Sequence, residues 1–215
     1  MIYALKGHFQ KLANLFATSG MTANQASILG WLFVFLSTAA LYVGLSTATQ
    51  GNPSWALLVF PALVLFRLIF NALDGMIARA KGTASPMGEV FNEIGDIGGD
   101  TISYGVLFFI PTANSLYLAI FLVCCWFAEF CGVLGRALPG HIRRQDSALG
   151  GKAERSIWFC LFAIICFFTP SFVNYVNTFL VTISVLTFLT GVVRIAGIRK
   201  QTQGHDYKSH TLYGR

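Results

Sequence analysis

Six apolar runs of membrane-spanning length occupy most of this chain, near residues 26–45, 55–80, 87–110, 115–136, 154–170 and 174–195. Each approaches the ~20 residues that a helix needs to cross a hydrocarbon core. Lipid cannot satisfy a backbone N–H or C=O, so runs of this length fold as helices. Composition agrees: of 215 residues, 55% are hydrophobic and only 11% charged, where a soluble domain carries ~25% charged residues. The expected fold class is all-α and integral to a membrane, with six transmembrane helices. One domain should cover 1–200, followed by a polar cytoplasmic tail over 201–215.

The connections between the runs alternate in charge. Segments 46–54, 111–114 and 171–173 contain no Lys or Arg. The basic residues collect instead in the N-terminal arm (Lys6, Lys11), the second connection (Arg79, Lys81), the fourth (Arg136, Arg143, Arg144, Lys152, Arg155) and the tail (Arg199, Lys200, Lys208, Arg215). The positive-inside rule then puts both termini in the cytoplasm. The net charge of +6 reflects this placement, and no nucleic-acid partner is expected. Ahead of the first run, Ile2, Leu5, Phe9, Leu12 and Phe16 recur at helical spacing with Lys6, Gln10 and Lys11 between them. That pattern predicts an amphipathic helix lying on the membrane surface. Gly20 should end it, and Thr22 with Gln25 forms a capping-box start for the next helix. The five cysteines all fall inside apolar runs with no metal spacing, and they read as free buried thiols. His8, His141, His205 and His210 sit in juxtamembrane or tail positions and read as solvated.

One stretch breaks the apolar pattern. Between Asn71 and Asp100 lie Asp74, Arg79, Glu89, Glu93, Asp96 and Asp100. Ionisable groups at membrane depth cost roughly 2.5–3.5 kcal/mol each on insertion scales, so they usually mark a working site. Five of these six are carboxylates, and an all-oxygen acidic cluster suits a hard divalent cation, Mg²⁺ or Mn²⁺ before zinc. At ~100° per residue, Arg67, Asn71, Asp74, Gly75 and Ala78 share one face of the second run, and Glu89, Asn92, Glu93, Asp96 and Asp100 share an arc of the third. A short connection makes the two helices antiparallel neighbours whose polar faces can meet. With a rise of 1.5 Å per residue, Asp74 lies ~7 Å and Asp96 ~12 Å inward of that connection, at cytoplasmic headgroup depth. A site there can meet a soluble nucleotide and a lipid-tailed substrate together. Gly75, Ala78 and Gly88 remove bulk where a ligand could approach backbone, while Gly95, Gly98 and Gly99 favour close helix packing.

Read together, these residues resemble the signature of the CDP-alcohol phosphotransferase (phosphatidyltransferase) family, Asp-x-x-Asp-Gly-x-x-Ala-Arg, a spacer, then Gly-x-x-x-Asp-x-x-x-Asp. The string here is Asn71-x-x-Asp74-Gly75-x-x-Ala78-Arg79, eight residues, then Gly88-x-x-x-Asn92-x-x-x-Asp96. The resemblance covers the whole architecture, including a Gly151-Lys152 before the fifth run, and is greatest to a bacterial branch of the family. It implies transfer of a phosphoalcohol from a CDP-alcohol, most often CDP-diacylglycerol, to a second alcohol with release of CMP. It also implies a homodimer in the inner membrane with its site facing the cytoplasm. In the family four aspartates hold two divalent ions and the last is the general base. Carried over, Asp96 is the base, Asn71, Asp74, Asn92 and Asp96 are the metal positions, and Asp74, Gly75, Ala78, Arg79 and Gly88 contact the nucleotide.

The chain departs from the signature at Asn71 and Asn92, which keep a carbonyl oxygen and lose the charge. Three readings follow. Glu93 and Asp100, on the same arc, supply the missing charge; the site holds a single ion and runs a slower or altered transfer; or it binds nucleotide without turnover. The first two are preferred. Arg143, Arg144, Lys152 and Arg155 either bind an anionic acceptor such as glycerol 3-phosphate or set topology and touch lipid headgroups; a neutral polyol or sugar acceptor stays open. Buried Arg67 should pair with an acid such as Asp74 or Glu129, and Glu129 either answers Arg67 or lines an acceptor pocket. A small transporter is the rival class, set aside because the acids crowd at one end of the spans and no repeated halves are seen.

Overall fold

The computed structural model describes residues 14–137 and 150–202, and among them it is all-helical with no strand. After a helical stretch at 14–18, six longer helices follow in order: α1 (Ala23–Thr49), α2 (Ala56–Ala80), α3 (Pro86–Gly105), α4 (Ser115–Ala137), α5 (Lys152–Phe168) and α6 (Val176–Thr202). Short 3₁₀ turns lie at Val106–Phe109 and Pro170–Tyr175. Four segments are long and apolar enough to cross a membrane: Ala23–Thr49, Ala56–Ala80, Ser115–Ala137 and Pro170–Thr202. The other two predicted spans fall short of that standard for visible reasons. α3 carries Glu89, Glu93, Asp96 and Asp100, and α5 is 17 residues long and opens with Lys152, Glu154 and Arg155.

Local chemistry sets the helix ends. Residues 14–18 are helical, and Gly20 at φ +93° follows them. Thr22 then caps α1 with the expected reciprocal box, its Oγ1 accepting from the Gln25 N–H while the Gln25 side chain accepts from the Thr22 N–H. The start of the expected N-terminal amphipathic helix lies outside the described residues. α2 stops at Gly82, φ +66°, where the Thr83 N–H reaches back to the Ala78 carbonyl at 2.8 Å in a Schellman-type closure. Ser85 caps α3 and Pro86 occupies its first turn. The α2–α3 connection is therefore short and closed at both ends, which brings α3 back alongside α2.

The chain forms two compact units. The first, Met1–Ala113 with Phe159–Tyr175, contains α1, α2 and α3. Here α1 runs antiparallel to α2, with Gly44 against Leu57 near one end and Gly30 against Asn71 near the other. Phe33 stacks on Phe66 and Phe70 at centroid distances of 5.2 and 5.5 Å. The Trp31 ring lies over Gly95 and Gly98 of α3, so these glycines serve the helix contact expected of them. The second unit, Asn114–Trp158 with Val176–Arg215, contains α4 and α6, packed through Phe127, Phe188 and Gly191.

Polarity is distributed opposite to that of a water-soluble bundle. Arg67, Asp100, Glu129, Arg155 and Arg194 are buried, while Phe35, Leu65, Phe130 and Phe168 are among many large apolar side chains left exposed. In water such a surface would drive association, whereas lipid tails accept it without penalty. All five cysteines are free.

Candidate active site

Antiparallel packing of α2 and α3 brings the two halves of the predicted motif together. Asn71 Nδ2 donates to Asp96 Oδ1 at 3.3 Å. Asp74 lies three residues beyond Asn71, on the same face of α2. Its Oδ2 accepts a hydrogen bond from Ser27 Oγ of α1 at 2.8 Å. Asn71, Asp74 and Asp96 are all half-buried. The site therefore has a third wall that sequence reasoning did not anticipate. Ser27 orients Asp74, and Gly30, one turn along α1, makes room for the Asn71 amide, whose oxygen would lie 2.5 Å from a Cβ added there. The signal was available: Ser27, Gly30 and Trp31 fall on one face of a largely apolar helix.

The predicted nucleotide contacts cluster at the end of α2. The Arg79 guanidinium folds back over Gly75, and a Cβ at Gly75 would stand 3.4 Å from Arg79 Nη1. A backbone position without a side chain, beside an exposed cation, suits a phosphate. Ala78 is half-buried between them in sequence. Gly88 is exposed in the first turn of α3, and its N–H donates to Ser85 Oγ at 3.1 Å. Asn92 is exposed, one turn before Asp96, and Glu93 is half-buried.

Asp100, read from the sequence as a source of replacement charge for the metal, is engaged by Arg67. Its Oδ1 receives Arg67 Nη2 at 2.7 Å, with side-chain exposures of 2% for Arg67 and 5% for Asp100. Arg67 does pair with an acid inside the bundle, as expected, but the acid is Asp100 and neither Asp74 nor Glu129. The physical reason is axial: Arg67 lies seven residues before Asp74, about two turns away, and directly across from Asp100 on the antiparallel partner. Glu129 instead answers the cations of its own unit. Arg155 Nη2 meets Glu129 Oε1 at 3.0 Å, Arg155 Nη1 donates to the Gly150 carbonyl at 3.0 Å, and Arg194 Nη1 lies 3.6 Å from the same Glu129 oxygen. Arg194 also donates to the Ala128 carbonyl. Lys152 is half-buried at the start of α5. Arg143 and Arg144 lie outside the described residues.

The donor set at the α2–α3 seam fits a hard cation in kind. Asp74 and Asp96 offer carboxylate oxygens and Asn92 an amide oxygen, while Asn71 turns its amide nitrogen to Asp96 and its oxygen to Gly30. Among the described residues no group of three or more His, Cys, Asp and Glu side chains is arranged to hold a metal ion, so an ion here draws on the asparagines. Two carboxylates balance the charge of one divalent ion.

Against this geometry, the sequence profile of the CDP-alcohol phosphatidyltransferases matches residues 20–193. The chain belongs to the CDP-alcohol phosphatidyltransferase family. Its relatives include the inner membrane protein YnbA of Escherichia coli K12, 29% identical over 159 residues, 74% of this chain and 78% of that protein. The archaetidylinositol phosphate synthase of Pyrococcus horikoshii is 22% identical over 205 residues, 93% of this chain and 95% of that protein. The fold is also that of the Mycobacterium tuberculosis phosphatidylinositol phosphate synthase with CDP-DAG bound, at TM-score 0.63 and 18% identity, covering 88% of this chain and 92% of that one. The same synthase in complex with manganese and citrate gives TM-score 0.63 at 20% identity, over 89% of this chain and 88% of that one. CDP-alcohol phosphatidyltransferases are enzymes that use a metal ion, and they transfer a phosphoalcohol from a CDP-alcohol to a second alcohol with release of CMP.

Proposed function

We propose that this phosphatidyltransferase moves a phosphatidyl group from CDP-diacylglycerol to an alcohol acceptor at the α2–α3 seam. The observation that carries the proposal is the meeting of Asn71 with Asp96 at 3.3 Å, with Asp74 one turn along and steered by Ser27. A divalent cation, Mg²⁺ or Mn²⁺, held by Asp74, Asp96, the amide oxygen of Asn92 and that of Asn71 once its amide turns over, would neutralise the donor's pyrophosphate. Arg79 binds a phosphate oxygen, and Gly75 lets the nucleotide lie close to the α2 backbone. Asp96 takes the proton from the acceptor hydroxyl as that oxygen bonds to the diacylglycerol-bearing phosphorus and the bond to CMP breaks. Arg155 is buried against Glu129, which argues against its reaching an anionic group on the acceptor. A single ion accords with two carboxylates. Manganese and CDP-DAG in two structures of the same synthase support the choice of cation and donor.

The six helices support a six-span arrangement with both termini and the site on the cytoplasmic side, and likeness to an Escherichia coli inner membrane protein supports a bacterial inner-membrane location. A homodimer follows from the family resemblance. The test is CMP release by the purified chain from CDP-diacylglycerol across a panel of neutral and phosphorylated alcohols. Mn²⁺ or Mg²⁺ should be required, and Asp96→Asn should lower the rate by ~10²–10⁴, the usual reach of general-base catalysis. Turnover in EDTA, or none with any acceptor, would sink the reading.

A further inference from the structure

Beneath the Asn71–Asp96 contact lies a second link between the same helices, and neither the motif nor the chemistry above makes use of it. Arg67 is four residues from Asn71 on α2, and Asp100 is four residues from Asp96 on α3, so the two links stack one helical turn apart. The lower link is far more constrained. Arg67 Nη2 meets Asp100 Oδ1 at 2.7 Å, and Arg67 Nη1 reaches Ser103 Oγ at 3.1 Å, so one guanidinium spans a full turn of α3. Both side chains are buried, and the seat is shaped for them: a Cβ at Gly99 would lie 2.8 Å from Arg67 Nη2. A planar fork gripping two groups on one helix fixes rotation as well as axial offset, which apolar packing between smooth helices fixes poorly.

We propose that Arg67 and Asp100 are positioning residues, a buried register clamp that rotates α3 so that Asp96 faces Asn71 and Asp74. The clamp also withholds the Asp100 carboxylate from the cation. This rests on the functional reading above in one respect, that the seam binds a divalent ion, and the test is chosen to separate the two claims.

The full-length chain in detergent is titrated with Mn²⁺, binding being followed by loss of the free-ion EPR signal, alongside CMP release and a check of monodispersity and helicity. The clamp predicts that Arg67→Met and Asp100→Asn each weaken Mn²⁺ binding tenfold or more and lower kcat to a similar degree, with KM for CDP-diacylglycerol within threefold of wild type. Gly99→Ala, which removes no charge and displaces the guanidinium, should show the same split. The double variant Arg67→Met/Asp100→Met leaves no buried charge unpaired and should fold like wild type while keeping the loss of Mn²⁺ affinity. Wild-type Mn²⁺ binding in the double variant or in Gly99→Ala would overturn the clamp, as would a failure of all four variants to fold. A wild type that binds Mn²⁺ and releases no CMP would sink the functional reading alone, with the clamp still read from binding; one that binds no Mn²⁺ would sink both.

Discussion

Asn71 faces Asp96 as an amide faces a carboxylate, and that pairing lowers the positive charge the seam needs from a cation. An aspartate at the same place would set two negative groups together where the hydrogen bond now measures 3.3 Å. At such a separation like charges repel by roughly 1–4 kcal/mol, depending on how wet the site is. Asn71→Asp should therefore unfold at lower temperature than wild type in EDTA, by about 2–4 °C for each kcal/mol of repulsion. Mn²⁺ should raise its Tm by more than it raises that of wild type. Thermal scans with and without the ion check this, and an unchanged metal response would show that residue 71 stands apart from the cation. The candidate acids could be read from residue types alone, because charge inside an apolar run is conspicuous. Ser27 was missed because a serine in a membrane helix commonly bonds its own backbone, as Ser27 Oγ also does to Ala23 O at 3.2 Å.

At the scale of elements, close approach between helices fixes where the site's side chains stand. Gly30 admits the Asn71 amide, and Gly30→Ala would push a methyl to 2.5 Å from its oxygen. Overpacking of this kind costs ~1–3 kcal/mol, and the displaced amide should lower CMP release about tenfold, a change of 1.4 kcal/mol in the barrier. A rate and Tm matching wild type would contradict this account of α1 as the third wall. In the second unit Glu129 sits among Arg155 and Arg194, all three buried. Glu129→Ala leaves two cations without their carboxylate, a loss of roughly 3–5 kcal/mol when a buried pair is broken. It should appear as a sharp fall in monodisperse yield, with Glu129→Gln intermediate. The start of α1 was legible, since the Thr22–Gln25 box needs only neighbours within one turn. The partners of Glu129 were not, since they come from residues 26 and 65 positions along the chain.

For the whole molecule, the exposed surface of Phe, Leu and Val and the buried ions make lipid the natural solvent. A phosphatase reporter that works only outside the cytoplasm should be active when fused within 111–114 and silent when fused at the C-terminus, and a fluorescent cytoplasmic reporter should behave oppositely. The reverse pattern would overturn the orientation read from the basic residues. Sequence by itself determined the helical membrane class, the Thr22–Gln25 helix start and the motif spacing, because those depend on solvent, on bonds within one turn and on a period of 3.6 residues. Only the tertiary structure decided which acid each arginine meets. Arg67 had Asp74 and Glu129 as equally charged candidates, and the choice of Asp100 was made by the offset and rotation of α3 against α2 around Gly99. Those are properties of two packed surfaces, and no local pattern in either strand of sequence encodes them.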